Sequence, residues 1–156
     1  MYAENLDDHL AELAYHYSRS GNVHKAVEYC LRACQHCDER ASYAEAVMHF
    51  ETGLAALQKL PDDDRRAELE LDLRIASLGA LATIKGYGST EVQQSAVRAM
   101  ELGQRAGTGW EKSWWALNAL CNVAVTRPDI RKACELATEL VRHLRRGKLG
   151  LLDSVA

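Results

Sequence analysis

The chain has 156 residues, a formal net charge of −3, 26% charged and 47% hydrophobic residues, the balance of an ordinary globular protein and not of a polyanion binder or a disordered acidic tail. A chain of this length suits one domain and can bury roughly two-thirds of its unfolded surface. The longest uncharged runs, Ile75–Ile84 and Ser113–Thr126, fall well short of the ~20 apolar residues a membrane span needs; the N-terminal MYAENLDDHL is acidic where a signal peptide is basic and then apolar, so a cytoplasmic chain without a membrane segment is expected.

Periodicity predicts about seven helices and no strand. The first runs from about Asn5 to Ser20, with Leu10, Leu13, Ala14 and Tyr17 at helical spacing. A turn at Ser20-Gly21-Asn22 breaks it, and a second helix from Val23 to Arg40 resumes the stripe with Ala26, Cys30, Ala33 and Cys34, Asn22 being the expected N-cap. Ser42 and Glu45 have capping-box spacing and open a third helix, whose stripe is Tyr43, Ala46, Val47, Phe50, Leu54 and Leu57 and which Pro61 ends. Asp62, Asp63 and Asp64 read as helix-start carboxylates facing unpaired amides, in preference to metal ligands, because a helix from Asp64 to Lys85 follows at once. That fourth helix carries Ile75, Leu78, Gly79 and Ala82 and stops at Gly86-Tyr87-Gly88.

Helix five holds Val92, Ala96, Ala99, Met100 and Leu102. Thr108 and Glu111, again at capping-box spacing, open helix six with Trp114, Trp115, Leu117, Leu120, Cys121 and Ala124. Large rings on a helix usually fill space between helices, so Trp110, Trp114 and Trp115 are expected as packing residues and not as a ligand cage. Arg127-Pro128-Asp129 turns the chain into helix seven, with Ile130, Ala133, Ala137, Leu140 and Val141. Residues 1–148 are read as one helical-repeat domain, and 149–156 as a C-terminal tail or the start of a further helix.

Three stretches, 10–34, 75–100 and 117–141, share one pattern of bulky and small positions around a turn. An amphipathic pair of this kind needs neighbours to bury its stripe, which predicts an all-α fold of antiparallel helix pairs stacked as a short right-handed solenoid. Residues 10–34 resemble a tetratricopeptide repeat, with Leu10, Leu13-Ala14, Tyr17, Gly21, Ala26 and Ala33 at that family's spacing and Cys30 where an aromatic ring is usual. By that register the inner groove is expected to carry Tyr15, Ser18, Arg19, Thr83, Asn118, Asn122 and Thr126. The basic clamp with which some tetratricopeptide domains hold a C-terminal carboxylate is not matched, since Ala11 and Ala76 stand where a cation is needed.

The run from Arg40 to Val92, with Leu60-Pro61 and Lys85-Gly86-Tyr87, is also similar to the helical-repeat region of large bacterial signalling proteins, and the similarity covers most of residues 9–146. In those proteins the region follows an ATPase domain, accompanied in some by an adenylate or guanylate cyclase domain and in others by a DNA-binding transcription activator. The resemblance implies a regulatory module that holds a protein or peptide partner.

No G-x-x-x-x-G-K-[ST] loop, nucleophile elbow or His-x-x-x-His pair stands out, so no catalytic residue, cofactor or metal is assigned. Cys30, Cys34 and Cys37 lie on one helix, where Cys30 and Cys37 are about 10.5 Å apart in rise, too far to share one zinc; they continue the stripe of Ala26 and Ala33 and read as packed thiols. The alternative function is a nucleic-acid-binding or transcription-regulator-associated helical domain, motivated by Arg142, His143, Arg145, Arg146 and Lys148. Against it, cations near a helix C-terminus are favoured by the dipole alone, and the chain is net negative. Leu136, Leu140, Val141 and Leu144, with Leu149, Leu151, Leu152 and Val155 beyond, leave apolar surface at the C-terminal end and raise the expectation of self-association there.

Overall fold

A computed structural model describes residues 9–106 and 110–153, with side chains at all of these positions except 106, 110, 111, 113, 143, 144 and 146–153. The chain is all-α, and among the described residues there is no strand. Seven helices follow one another as α1 (Leu10–Ser20), α2 (Val23–Glu39), α3 (Tyr43–Leu57), α4 (Asp64–Lys85), α5 (Thr90–Ala106), α6 (Trp110–Thr126) and α7 (Ile130–Asp153). They divide into two compact units, residues 1–84 and residues 85–156. The expected starts of helix one at Asn5 and of the capping box at Thr108 lie outside the described residues.

Three helix starts are fixed by side chains legible in the sequence. Asn22 Oδ1 accepts from the Lys25 amide at 3.3 Å, Asp63 Oδ1 from the Arg66 amide at 2.8 Å and Asp129 Oδ1 from the Lys132 amide at 3.0 Å, so each satisfies a donor that the first turn leaves unpaired. Asp63 thereby performs the capping role expected of the aspartate run. The capping box at Ser42 does not form: the Ser42 side chain makes no cap hydrogen bond, and Glu45 Oε2 instead accepts from Cys37 Sγ at 3.7 Å. Ser42 is occupied through its backbone, whose amide donates to Cys37 O at 2.8 Å while the Ala41 amide donates to Asp38 O at 3.0 Å. These two bonds close α2 in a Schellman motif with Ala41 at φ 58, a position glycine usually takes. At the end of α1 glycine does take it, Gly21 having φ 79.

In the first unit α2 packs on both α1 and α3. Ala14, Ala26, Val27, Cys30, Ala33 and Cys34 are buried between these helices, and the small side chains permit close approach. On the outer side the Tyr17 and Tyr29 rings stack with centroids 5.1 Å apart and planes at 4°, capped by Lys25 over Tyr17 and Arg32 over Tyr29. The tightest approach is at Gly53 of α3. A Cβ there would stand 2.7 Å from Leu73 Cδ2 of α4 and 3.2 Å from Cys30 Cβ of α2.

Burial also includes groups that no apolar stripe announces. Glu70 of α4 is 8% exposed and accepts from Arg74 Nε at 2.9 Å. His49 of α3 is 6% exposed, and its burial lowers its pKa below the ordinary value of 6.5, with the Glu45 carboxylate pulling the other way. The unfolded chain therefore takes up the His49 proton at higher pH than the folded one does, so stability is full above about pH 6.5 and falls as pH drops below it. Urea denaturation between pH 7.5 and 5 is expected to show that loss, and His49→Leu is expected to flatten it; an unchanged slope in the variant would place the titration elsewhere.

The three α2 thiols are free and buried, as their place on the stripe predicts. Desolvation pushes Cys30 up to about 11 and Cys34 up to about 12, Cys34 being raised further by Asp38 and its neighbouring thiols. Both are thus protonated at neutral pH and poor nucleophiles. A thiol-reactive dye is expected to label the exposed Cys134 first and Cys30 and Cys34 only on unfolding; early labelling of either would contradict this packing.

In the second unit α6 packs on both α5 and α7. Leu117, Ala124, Ala133 and Leu136 form a buried cluster, closed by Met100, Leu120, Cys121 and Leu140. Val92, Ser95, Ala96, Ala99 and Leu102 bury one side of α5. The tryptophan expectation needs correction. Trp115 is 55% exposed, so it does not fill the interior; Trp114 is half-buried, meets Trp115 edge-on at 4.8 Å, and leaves its indole N–H without a partner among the described residues. The Trp110 side chain lies outside the described ones. Helix α7 continues through Asp153, so residues 149–153 belong to it.

Candidate interaction groove

A concavity of about 510 Å³ lies within the second unit along α5, α6 and α7. Its floor is apolar: Val97 and Met100 come from α5, Leu117, Leu120 and Val123 from α6, and Leu136 from α7. These positions sit on helical spacing within each element, so three helices that bury their smaller residues against one another leave their longer ones to line the channel between. Leu117 and Leu136 belong also to the buried cluster, which makes the floor continuous with the core.

Polar groups ring this floor, and several are fixed by partners of their own. Arg127, in the turn after α6, donates from Nε and Nη2 to Gly88 O at 3.1 and 3.0 Å and from Nη1 to Gln93 Oε1 at 2.5 Å. That fork ties the turn before α7 to the turn before α5 and sets one end of the groove. Glu101 pairs with Arg98 at 3.1 Å, and Lys132 with Glu135 at 3.4 Å, across exposed surface. Held by these partners, the rim side chains are oriented around the apolar floor, which supplies the adhesive area.

The seven residues expected to face a groove occupy other surfaces. Tyr15, Ser18 and Arg19 form a local cluster on α1: the Arg19 guanidinium lies 5.5 Å from the Tyr15 ring centroid and donates to its hydroxyl, while Ser18 Oγ donates to Tyr15 O at 2.7 Å. Tyr15 and Arg19 line a shallow hollow of about 310 Å³ with His16 and Ser20. Thr83 on α4 turns its hydroxyl back to Gly79 O at 2.9 Å. On α6, Asn122 Nδ2 donates to Asn118 O and Oδ1 at 3.1 and 3.2 Å, and Thr126 Oγ1 donates to Asn122 O at 2.8 Å. At 3.6 residues per turn that ladder runs along the side of α6 nearly opposite Leu117, Leu120 and Val123.

The floor residues Leu117, Leu120 and Ala124 are visible in the sequence as an apolar stripe, where they read as core. Only the geometry separates the atoms that are covered from those left facing the channel. Among the described residues no three His, Cys, Asp or Glu side chains converge as a metal site, and no helix is long and apolar enough to cross a membrane. Compared with protein-family models, with curated proteins and with solved structures, the chain matches none.

Proposed function

We propose that this chain is a non-catalytic protein-interaction module of the tetratricopeptide kind, its helix pairs antiparallel and stacked as a short right-handed solenoid, serving a regulatory role in a signalling system. The observation that carries the reading is the α5–α6–α7 groove, a concavity of about 510 Å³ with an apolar floor, framed by polar side chains that have hydrogen-bond or ion-pair partners of their own. Such a surface suits the apolar side chains of a peptide or helix, which bury area while the rim accepts its polar edge. The small residues that hold helices close, Ala26 and Ala33 in the first unit and Ala124 and Ala133 in the second, support the repeat-like packing.

Selection of peptides from a displayed random library against the folded chain tests this. Selected peptides are expected to compete with one another and to lose at least about tenfold in affinity when Val97 or Leu120 is changed to glutamate. Val97 is exposed, and circular dichroism establishes that each variant is folded, Leu120 being half-buried against the core cluster. Peptides indifferent to both substitutions would show that the groove is not the binding surface.

A further inference from the structure

We infer that the outward face of α7 docks an acidic amphipathic helix of a partner protein, at a surface separate from the groove. The side of α7 that packs on α6 carries Ala133, Leu136 and Leu140. A second apolar row runs along the same helix at Ile130, Cys134, Ala137 and Val141, all exposed, with Ile130 at 68% and Val141 at 48%. The spacing of four, three and four is the heptad seam by which one helix receives another. A helix needing only to cover α6 would carry polar residues there.

The flank nearest this row is basic, and Glu135 beyond it is engaged by Lys132. At 3.6 residues per turn, Arg131, Thr138, Arg142 and Arg145 fall along a single flank of it. Among the described residues no carboxylate holds Arg131, Arg142 or Arg145, whereas neighbouring Lys132 is paired with Glu135. Thr138, Val141, Arg142 and Arg145 also enclose a hollow of about 350 Å³. Small side chains at Cys134 and Ala137, between larger Ile130 and Val141, let an incoming helix approach closely and seat a leucine-sized knob.

These features together select the occupant. Nucleic acid would use the arginines and leave the aliphatic row bare. An anionic bilayer takes up amphipathic helices through broad aromatic or leucine faces, and the described row is narrow and contains neither. A second copy docking by the same face would bring arginine row against arginine row. A helix with leucine along its seam and carboxylates beside it satisfies both the apolar row and the three guanidiniums.

The probe is a designed helical peptide with leucine at the seam positions and glutamate beside them, together with a twin in which every glutamate is lysine. Fluorescence anisotropy is expected to show binding of the glutamate peptide that weakens with added salt, and none of the lysine twin. Val141→Glu is expected to weaken binding at least about tenfold. The charge swap Arg142→Glu with Arg145→Glu is expected to transfer preference to the lysine twin, while Val97→Glu on α5, at an exposed position outside the core cluster, changes nothing. All three α7 positions are exposed, and circular dichroism of each variant establishes that it is folded. Equal binding of the two peptides, a charge swap that fails to exchange preference, or a concentration-dependent dimer abolished by Val141→Glu would each overturn the inference. So would duplex DNA or anionic vesicles that bind the wild type more tightly than the glutamate peptide and are lost with the same substitutions.

Discussion

Leu73→Ala is expected to destabilise the fold by about 3 kcal/mol, within the range of about 2–5 kcal/mol for truncating a buried leucine. Leu73 is fully buried and meets α3 where Gly53 leaves room for it: a Cβ on Gly53 would lie 2.7 Å from Leu73 Cδ2 and 3.3 Å from Leu73 Cδ1. Gly53→Ala by itself trades a helix-propensity gain of about 1 kcal/mol against an overpacking cost of about 1–3 kcal/mol, and a small net loss is expected. In the Leu73→Ala background both leucine contacts are removed and only the 3.2 Å approach to Cys30 Cβ remains, so Gly53→Ala is then expected to be less destabilising than in the wild type by about 1 kcal/mol or more. Urea denaturation of the four proteins in this cycle reads the coupling. Additive effects would mean that Gly53 and Leu73 do not meet as described.

Leu117→Ala is expected to cost about 2–4 kcal/mol and to damage the groove as well. Leu117 is 1% exposed, sits in the cluster with Ala124, Ala133 and Leu136, and lines the channel floor. The substitution removes the contact that Met100 and Leu140 close over, and the floor deepens under any bound side chain. Leu120→Ala, on a half-buried residue of the same floor, is expected to lose under about 2 kcal/mol of stability while weakening peptide binding comparably. A Leu117→Ala variant as stable as the wild type would show that α5, α6 and α7 do not share this core.

The contrast between those leucines shows how far the sequence is readable. Apolar periodicity located all seven helices, because each buries a row of aliphatic or small residues, and Asn22, Asp63 and Asp129 mark their starts by a local hydrogen bond. Ser42 failed as a capping-box residue because the Schellman closure of α2 claims its backbone, a tertiary choice that local spacing does not contain. His49, Gly53, Glu70, Ser77 and Ser95 are buried without any apolar signal; what places them inside is the helix packed opposite.

The groove was harder to find because its residues have two roles. On α6 the polar row Asn118, Asn122 and Thr126 looked like a binding face, yet its members hydrogen-bond one another and their own backbone. The channel is floored by Leu117, Leu120 and Val123, which at 3.6 residues per turn lie on nearly the opposite side of the helix. Whether an apolar row is covered or left open depends on the separation of the flanking helices, and no one-dimensional pattern records it. The arginine flank of α7 is the reverse case. Cations there read first as complements to the helix dipole, and their lack of described carboxylate partners appears only in the structure.

The reading of this chain as an interaction module stands most directly on where a bound peptide sits. Backbone amide chemical shifts of the isotopically labelled chain, recorded while a library-selected peptide is added, measure that. The expected result is a continuous set of shifted amides along Val97–Glu101 of α5, Leu117–Ala124 of α6 and Lys132–Leu136 of α7, absent in the Leu120→Glu variant, with α1 and α2 unmoved. Shifts confined to Tyr15–Arg19 or to the Asn118–Thr126 ladder alone, or a full set that persists in Leu120→Glu, would contradict it.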